Sequence, residues 1–201
     1  KEEDLIPNFL KENTIGNLAQ FSLDMYKDQA SLDIYDNFLK WLFETFEEDE
    51  TLVRQHMISK LNLNKGDRIL LTSCGLGDDL PYILKEVGLT GTVYAQDISS
   101  AMAVHAQERI SSHKDAKHFG KVFFSVGDAL QLPFSDNFFN AAFHFGEINL
   151  FDGIEIAVKE MDRVVIPGGK VVFGDEGVAP WLKNTEYGKR AVCNNTLWSA
   201  D

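Results

Sequence analysis

Cysteine, proline and long apolar runs are all scarce in this chain. Its two cysteines, Cys74 and Cys193, are too few for a disulfide framework and fit a reducing compartment. No apolar run approaches the roughly 20 residues of a membrane span, and the acidic start Lys1–Asp4 lacks the basic flank of a signal peptide. A cytoplasmic chain without a membrane span is therefore expected. Internal repeats and low-complexity tracts are also missing. Basic residues are outnumbered, 19 against 31 acidic, for a formal net charge of −12. Such a field repels phosphate backbones, argues against nucleic acid as a partner, and suits a small uncharged or cationic substrate.

What is present is apolar and aromatic surface: hydrophobic residues make up 44% of the 201 and aromatic residues 11% of the chain, enough for one core of ordinary size. The one charge run, Glu44 with Glu47–Glu50, reads as a solvated loop and helix start, and no metal site is expected there. Tyr35, Phe38, Leu39, Leu42, Phe43 and Phe46 recur at three- and four-residue intervals, which predicts an amphipathic helix. Leu52, Val53, His56, Met57 and Leu61 repeat the pattern.

After the turn cluster Asn64-Lys65-Gly66-Asp67 the texture changes to short apolar runs alternating with amphipathic segments. Strands are predicted at Arg68–Ser73, Thr92–Asp97, Lys121–Val126, Phe138–Phe145 and Lys170–Asp175. Helices are predicted from Asp78 to about Val87, after a cap at Ser99 or Ser100 with Met102, Ala106 and Ile110 on one face, and through Ile154, Ala157, Val158, Met161 and Val164. Pro167-Gly168-Gly169 is read as the stop of the last of these, and Gly127–Asn137 as a loop. Alternating strands and helices favour an α/β fold with a doubly wound, mostly parallel, Rossmann-like sheet. The expected division is an N-terminal helical lid over residues 1–64 and a core over residues 65–201.

In such a sheet a ligand binds beyond the carboxyl ends of the strands, where the order switches direction. The small residues of Ser73-Cys74-Gly75-Leu76-Gly77 sit at that place and permit a close backbone approach. Asp97 ends the second strand, where a carboxylate can accept both hydroxyls of a ribose. A dehydrogenase would need a third glycine, but Leu80 occupies its position, and Asp78 and Asp79 would repel a pyrophosphate. Cys74 is read as a packing residue. His56, His105, His113 and His118 lie away from the strand ends, whereas His144 and Glu147 fall at the end of the fourth strand.

By these motifs the chain resembles the class I S-adenosylmethionine-dependent methyltransferases, and among them the ubiquinone/menaquinone-biosynthesis branch. The resemblance runs from Gly66 to Glu176 and rests on four segments: Ile69–Gly77, Val93–Met102, the run Gly127-Asp128-Ala129-Leu130-Gln131-Leu132-Pro133-Phe134, and Glu160–Gly169. It implies S-adenosylmethionine as cofactor, with Asp97 on the ribose and Asp128 and the Ala129 amide on the adenine edge. Thr72, Ser73, Gly75, Gly77, Ile98, Met102 and Phe145 complete the implied contacts. His144 or Glu147 would be the base, with a small molecule as methyl acceptor and Tyr26 and Tyr35 as walls of its pocket.

Departures from the pattern matter too. Leu71 stands where relatives carry an acid before the turn, Ser73 replaces the first glycine, and Asn140 stands where relatives commonly carry an aspartate. Loss of the acid supports an alternative, a non-catalytic binding or partner subunit. Relatives also follow the fifth strand with two more, whereas the 176–201 tail is punctuated by Gly177, Pro180, Gly188, Asn194 and Asn195, and carries Trp181 and Trp198. A C-terminally incomplete core is therefore expected, or a second copy of the chain over the edge of strand five.

Overall fold

The computed structural model describes residues 6–11, 15–175, 177 and 181–194. Three helices come first: α1 (Asn17–Met25), α2 (Gln29–Thr45) and α3 (Glu50–Ser59). Aspartates start two of them, Asp28 accepting from the Ser31 amide and Asp49 from the Leu52 amide, which satisfies donors left free in a first turn. The core follows as β1 (Arg68–Thr72), α4 (Leu80–Val87), β2 (Thr92–Asp97), α5 (Ser100–Ser111), β3 (Lys121–Val126), β4 (Phe139–Phe145), α6 (Ile154–Val164) and β5 (Val165–Gly174), with α7 (Glu186–Asn194) beyond it. Ser99 caps α5 by accepting from the Met102 amide.

The five strands form one sheet in the order β3-β2-β1-β4-β5, every neighbouring pair parallel. The order reverses at β1, so the turn after β1 opens at the switch point. Side chains alternate between two apolar layers, as strand geometry requires. Ile69, Leu71, Val93, Ala95 and Phe143 pack toward α4 and α5, whereas Leu70, Phe139 and Ala142 pack with Met161 and Val164 of α6. Tyr94, Phe134, Phe138 and Phe139 form a ring cluster in that second layer, with centroids 4.9–6.1 Å apart. Each ring buried there contributes about 1.5–3 kcal/mol.

Two elements differ from the pattern expected of the sequence. Helix α6 stops at Val164, and Pro167-Gly168-Gly169 lies inside β5. The pairing jumps from Phe139↔Val165 to Ala141↔Lys170, so the extra residues bulge out of the ladder, and any side chain at Gly169 would collide with Asn140 O. In α3 the buried residues are Arg54 and Ile58, while Leu52 is 64% exposed. The helix is rotated from its apolar phase because Arg54 is drawn toward the acids that precede α4.

The chain before α1 also belongs to the sheet edge: Val126 N donates to Pro7 O and Phe9 N to Val126 O, both at 2.8 Å. On the opposite edge, β5 pairs only with β4 among the described residues. Glu176, Pro180, Asn195 and Trp198 lie outside the described residues.

A long-range cap holds α1 down. Its cap residue, Gly16, has no side chain to offer, and the Asp152 carboxylate accepts from the amides of Leu18 (3.1 Å) and Ala19 (3.0 Å) instead. Asp152→Ala is expected to cost about 0.5–2 kcal/mol, the usual loss for a cap. Limited proteolysis between α1 and α2 should then be faster than in the parent; an unchanged rate would mean that other contacts hold α1.

Candidate functional site

The turn after β1 places three residues in the left-handed region, Ser73 at φ 47°, Gly75 at φ 51° and Gly77 at φ 81°. Ser73 is the costly member, because its Cβ resists that conformation. The reversal aims the Gly75 amide at the end of β2, where Asp97 Oδ2 accepts it at 2.8 Å. Oδ1 of the same carboxylate accepts the Ser99 amide at 2.9 Å. Asp97 is buried, and burial pushes its pKa up to about 6 against the opposing pull of the Ser99, Gly75 and Ile98 amides.

Two spaces open at this end of the sheet and share Glu147 and Leu150 in their walls. A narrow groove of about 30 Å³ runs between Ser73, Gln96, Ile98, Asp128, Ala129 and Glu147, roofed by Ala19, Ser22 and Asp152. Beside it lies a cavity of about 720 Å³ lined by Tyr26, Tyr35, the aromatic stripe of α2, Arg54, Phe145 and Glu147. The stripe of α2 therefore faces a space next to the strand ends; Phe38 and Phe46 remain 43% and 59% exposed. A hollow of about 770 Å³ between α3, α4 and α5 lies on the far side of α4.

Of the residues expected at the site, Ser73, Ile98, Asp128, Ala129 and Glu147 line the groove and Phe145 lines the cavity. Gly75 and the buried Asp97, bonded to each other next to Ser73 and Ile98, line neither. Four others also lie outside both linings. Thr72 is one residue past Leu71 and so turns to the α6 layer, where its hydroxyl meets His144 Nδ1 at 3.1 Å and Met161 Sδ at 3.7 Å. His144 turns the same way. It is fully buried, its pKa is lowered to about 4 chiefly by that burial, and its ring sits 5.0 Å from Phe151 of the groove wall. The imidazole is enclosed, held on one side by the Thr72 hydroxyl and on the other by the Phe151 ring. Gly77 faces the far hollow, where a side chain would press on Ala106 of α5. Met102 packs with Tyr26, Leu32 and Leu76 under the first helices.

The acids before α4 also differ from the expectation of uncompensated negative charge. Arg54 binds Asp79 at 2.9 Å, lies 3.8 Å from Asp78 and binds Glu50 at 2.8 Å, and Arg109 binds Asp78 at 2.7 Å. Repulsion of a pyrophosphate is thus blunted. The case against a dinucleotide rests on Leu80, fully buried where a third glycine would stand. Burial raises the pKa of Asp79 although Arg54 opposes it, and it pushes the Cys74 thiol well above its ordinary value, as a packing cysteine should behave.

Residues not singled out from the sequence also shape the site. Gln96 is buried on the groove floor, and its Oε1 has no hydrogen-bond partner; its only sequence signal is its place before Asp97. Arg54 fills the angle between α3, α4 and Phe145, 5.6 Å from that ring. Ser99 Oγ donates to Tyr26 O at 2.6 Å, fastening the chain after α1 over the end of β2.

The methyltransferase domain profile matches residues 70–173. A demethylmenaquinone methyltransferase of Staphylococcus aureus is 36% identical over 126 residues, 62% of this chain and 49% of the relative. The chain thus spans about half the length of the curated relatives it matches. A proposed S-adenosyl-L-methionine-dependent methyltransferase from Methanococcus maripaludis superposes with a TM-score of 0.60 over 86% of this chain and 74% of that one, at 18% identity. Geranyl diphosphate C-methyltransferase from Streptomyces coelicolor, solved with Mg²⁺, geranyl diphosphate and S-adenosyl-L-homocysteine, gives 0.57 over 72% and 53%, at 16% identity. Likeness at that identity is likeness of fold.

Proposed function

Because the chain belongs to the class I S-adenosylmethionine-dependent methyltransferase family, we propose that it transfers the methyl group of S-adenosylmethionine to a small-molecule acceptor. The observation that carries this reading is the buried Asp97 carboxylate, tied to the glycine turn at the switch point of a parallel sheet. The residues present suit the nucleoside: Asp97 for the ribose hydroxyls, Ile98 against the base, and Asp128 with the Ala129 amide for the adenine edge. Ser73 and Gly75 would border the methionine portion, and Gln96 Oε1 is a buried acceptor on the same groove floor. At about 30 Å³ the groove is narrower than a nucleoside, so binding there requires its walls, Ala19 and Ser22 of α1 among them, to part. S-adenosylmethionine supplies an electrophilic methyl group on a positively charged sulfur.

The protein's share of such a reaction is alignment, exclusion of water and removal of a proton. Tyr26, Tyr35 and α2 wall off the cavity, and Glu147, in both walls, is the group in reach of an acceptor proton. His144 serves through Phe151. No helix among the described residues is long and apolar enough to cross a membrane, and the cytoplasm is the proposed setting.

Calorimetric titration with S-adenosylhomocysteine tests the reading. Asp128 lines the groove and accepts the Leu130 amide at 2.8 Å. Asp128→Ala is expected to weaken binding about 10- to 100-fold, the worth of one hydrogen bond to a charged group, with an unchanged circular dichroism spectrum. Equal affinities would remove Asp128 from the site. A second reading, a partner subunit that binds no cofactor, is favoured by Leu71, which is fully buried in the core. Absence of any heat of binding in the parent chain would select it.

A further inference from the structure

The 720 Å³ cavity has a chemical character of its own. Among the described residues its walls combine aromatic rings with three carboxylates, Glu48, Glu147 and Asp175, against a single cationic side chain, Arg54. That guanidinium is committed elsewhere: it binds Glu50 and Asp79 and lies 3.8 Å from Asp78. The space next to the groove is therefore negative on balance, in a chain that is itself acidic. Carboxylate and phosphate acceptors are disfavoured there, while a cation gains twice, from the carboxylates and from ring faces. Tyr35 adds no anion, since burial and the neighbouring Glu147 keep its phenol protonated.

Glu147 lines both the groove and the cavity. It follows Gly146 at φ 84° and itself adopts φ 66°, so two left-handed residues in a row turn the chain sharply at the end of β4. For a glutamate that conformation is uncommon and costs energy, which the fold tolerates at a position lining both spaces.

We propose that the methyl acceptor is an apolar amine, its nitrogen at Glu147 and its body among the rings of α2. The proposal rests on the methyltransferase reading above. The bound ammonium gives one proton to the Glu147 carboxylate. Its freed lone pair forms a bond to the methyl carbon as the carbon–sulfur bond breaks, and that bonding pair stays on sulfur. The products are a methylated ammonium and a neutral thioether, and Glu147 returns its proton to solvent.

The test is calorimetric titration of the full chain, with and without saturating S-adenosylhomocysteine, using 4-phenylbutylamine, 4-phenylbutanol and 4-phenylbutyrate. The amine is expected to bind about tenfold more tightly than the alcohol, and the carboxylate not measurably. Glu147→Gln should erase the amine's advantage, so that amine and alcohol bind alike. Added salt should weaken the amine alone in the parent chain, a measurement that needs no variant. Equal binding of amine and alcohol, or an amine advantage that survives Glu147→Gln, would overturn the proposal. An amine preference in a chain that binds no S-adenosylhomocysteine would instead overturn methyl transfer and leave the amine site standing.

Discussion

Asp97→Ala is expected to reduce S-adenosylhomocysteine affinity by about 10²- to 10⁴-fold. Two hydrogen bonds from ribose hydroxyls to a carboxylate are worth about 1.5–3 kcal/mol each, and each 1.4 kcal/mol is about tenfold. Alanine would also release the Gly75 and Ser99 amides that the carboxylate now accepts, so Asp97→Asn provides the variant of similar shape. It should lose most of the affinity while keeping more of the stability. The pH dependence carries a distinct signature. In the folded chain the pKa of Asp97 is raised to about 6 by burial, above its value of about 4 in an unfolded chain. Its contribution to stability is therefore complete below about pH 4 and lost as pH rises through about 6. Binding runs the other way, since ribose donors need the ionised carboxylate. Affinity should climb between about pH 5 and 7, with protons released on binding near the lower end. A parent-like, equally pH-dependent titration of Asp97→Asn would remove the ribose assignment.

Arg54→Met should be the most damaging single change to the fold. It leaves Asp79, a buried acid, without the guanidinium that binds it at 2.9 Å, and Asp78 with Arg109 alone. Removing one partner of a buried ion pair costs about 3–5 kcal/mol. In a domain of this size that is a fall of about 6–20 °C in melting temperature. The deficit should shrink in acid as Asp79 takes up a proton, and Arg54→Met with Asp79→Leu should recover most of it, because the stranded charge is gone. A melting temperature within about 2 °C of the parent would show that the pair is not important for stability.

Strands were legible because their signal is local. The runs Thr92–Asp97 and Lys121–Val126 are short, apolar and bounded by turns, and they are strands to the residue. The glycine turn and Asp97 were legible for the same reason, since their relation follows from chain order in a parallel sheet. Facing was harder. Thr72 and His144 lie at the correct ends of β1 and β4, but alternation from Leu70 and Ala142 turns both toward α6. Counting parity as well as position along the strand would have placed them there. The rotation of α3 depends on an ion pair across 25 residues, and the cap on α1 comes from Asp152, more than 130 residues later. Neither leaves a trace in local periodicity. Gln96 carries no such local signal either, because the burial of its amide oxygen arises from tertiary packing, with Gly127 close against its side chain.

The pairing of Phe9 with the end of β3 constrains how the roof of the groove can move. The chain is pinned to the sheet edge at Phe9, and it enters the core again at Ile58 and Leu61. Helices α1 and α2 lie between these two anchor points, so a displacement of α1 that widens the groove has to break the Asp152 cap and the Ser99–Tyr26 bond while both anchors hold.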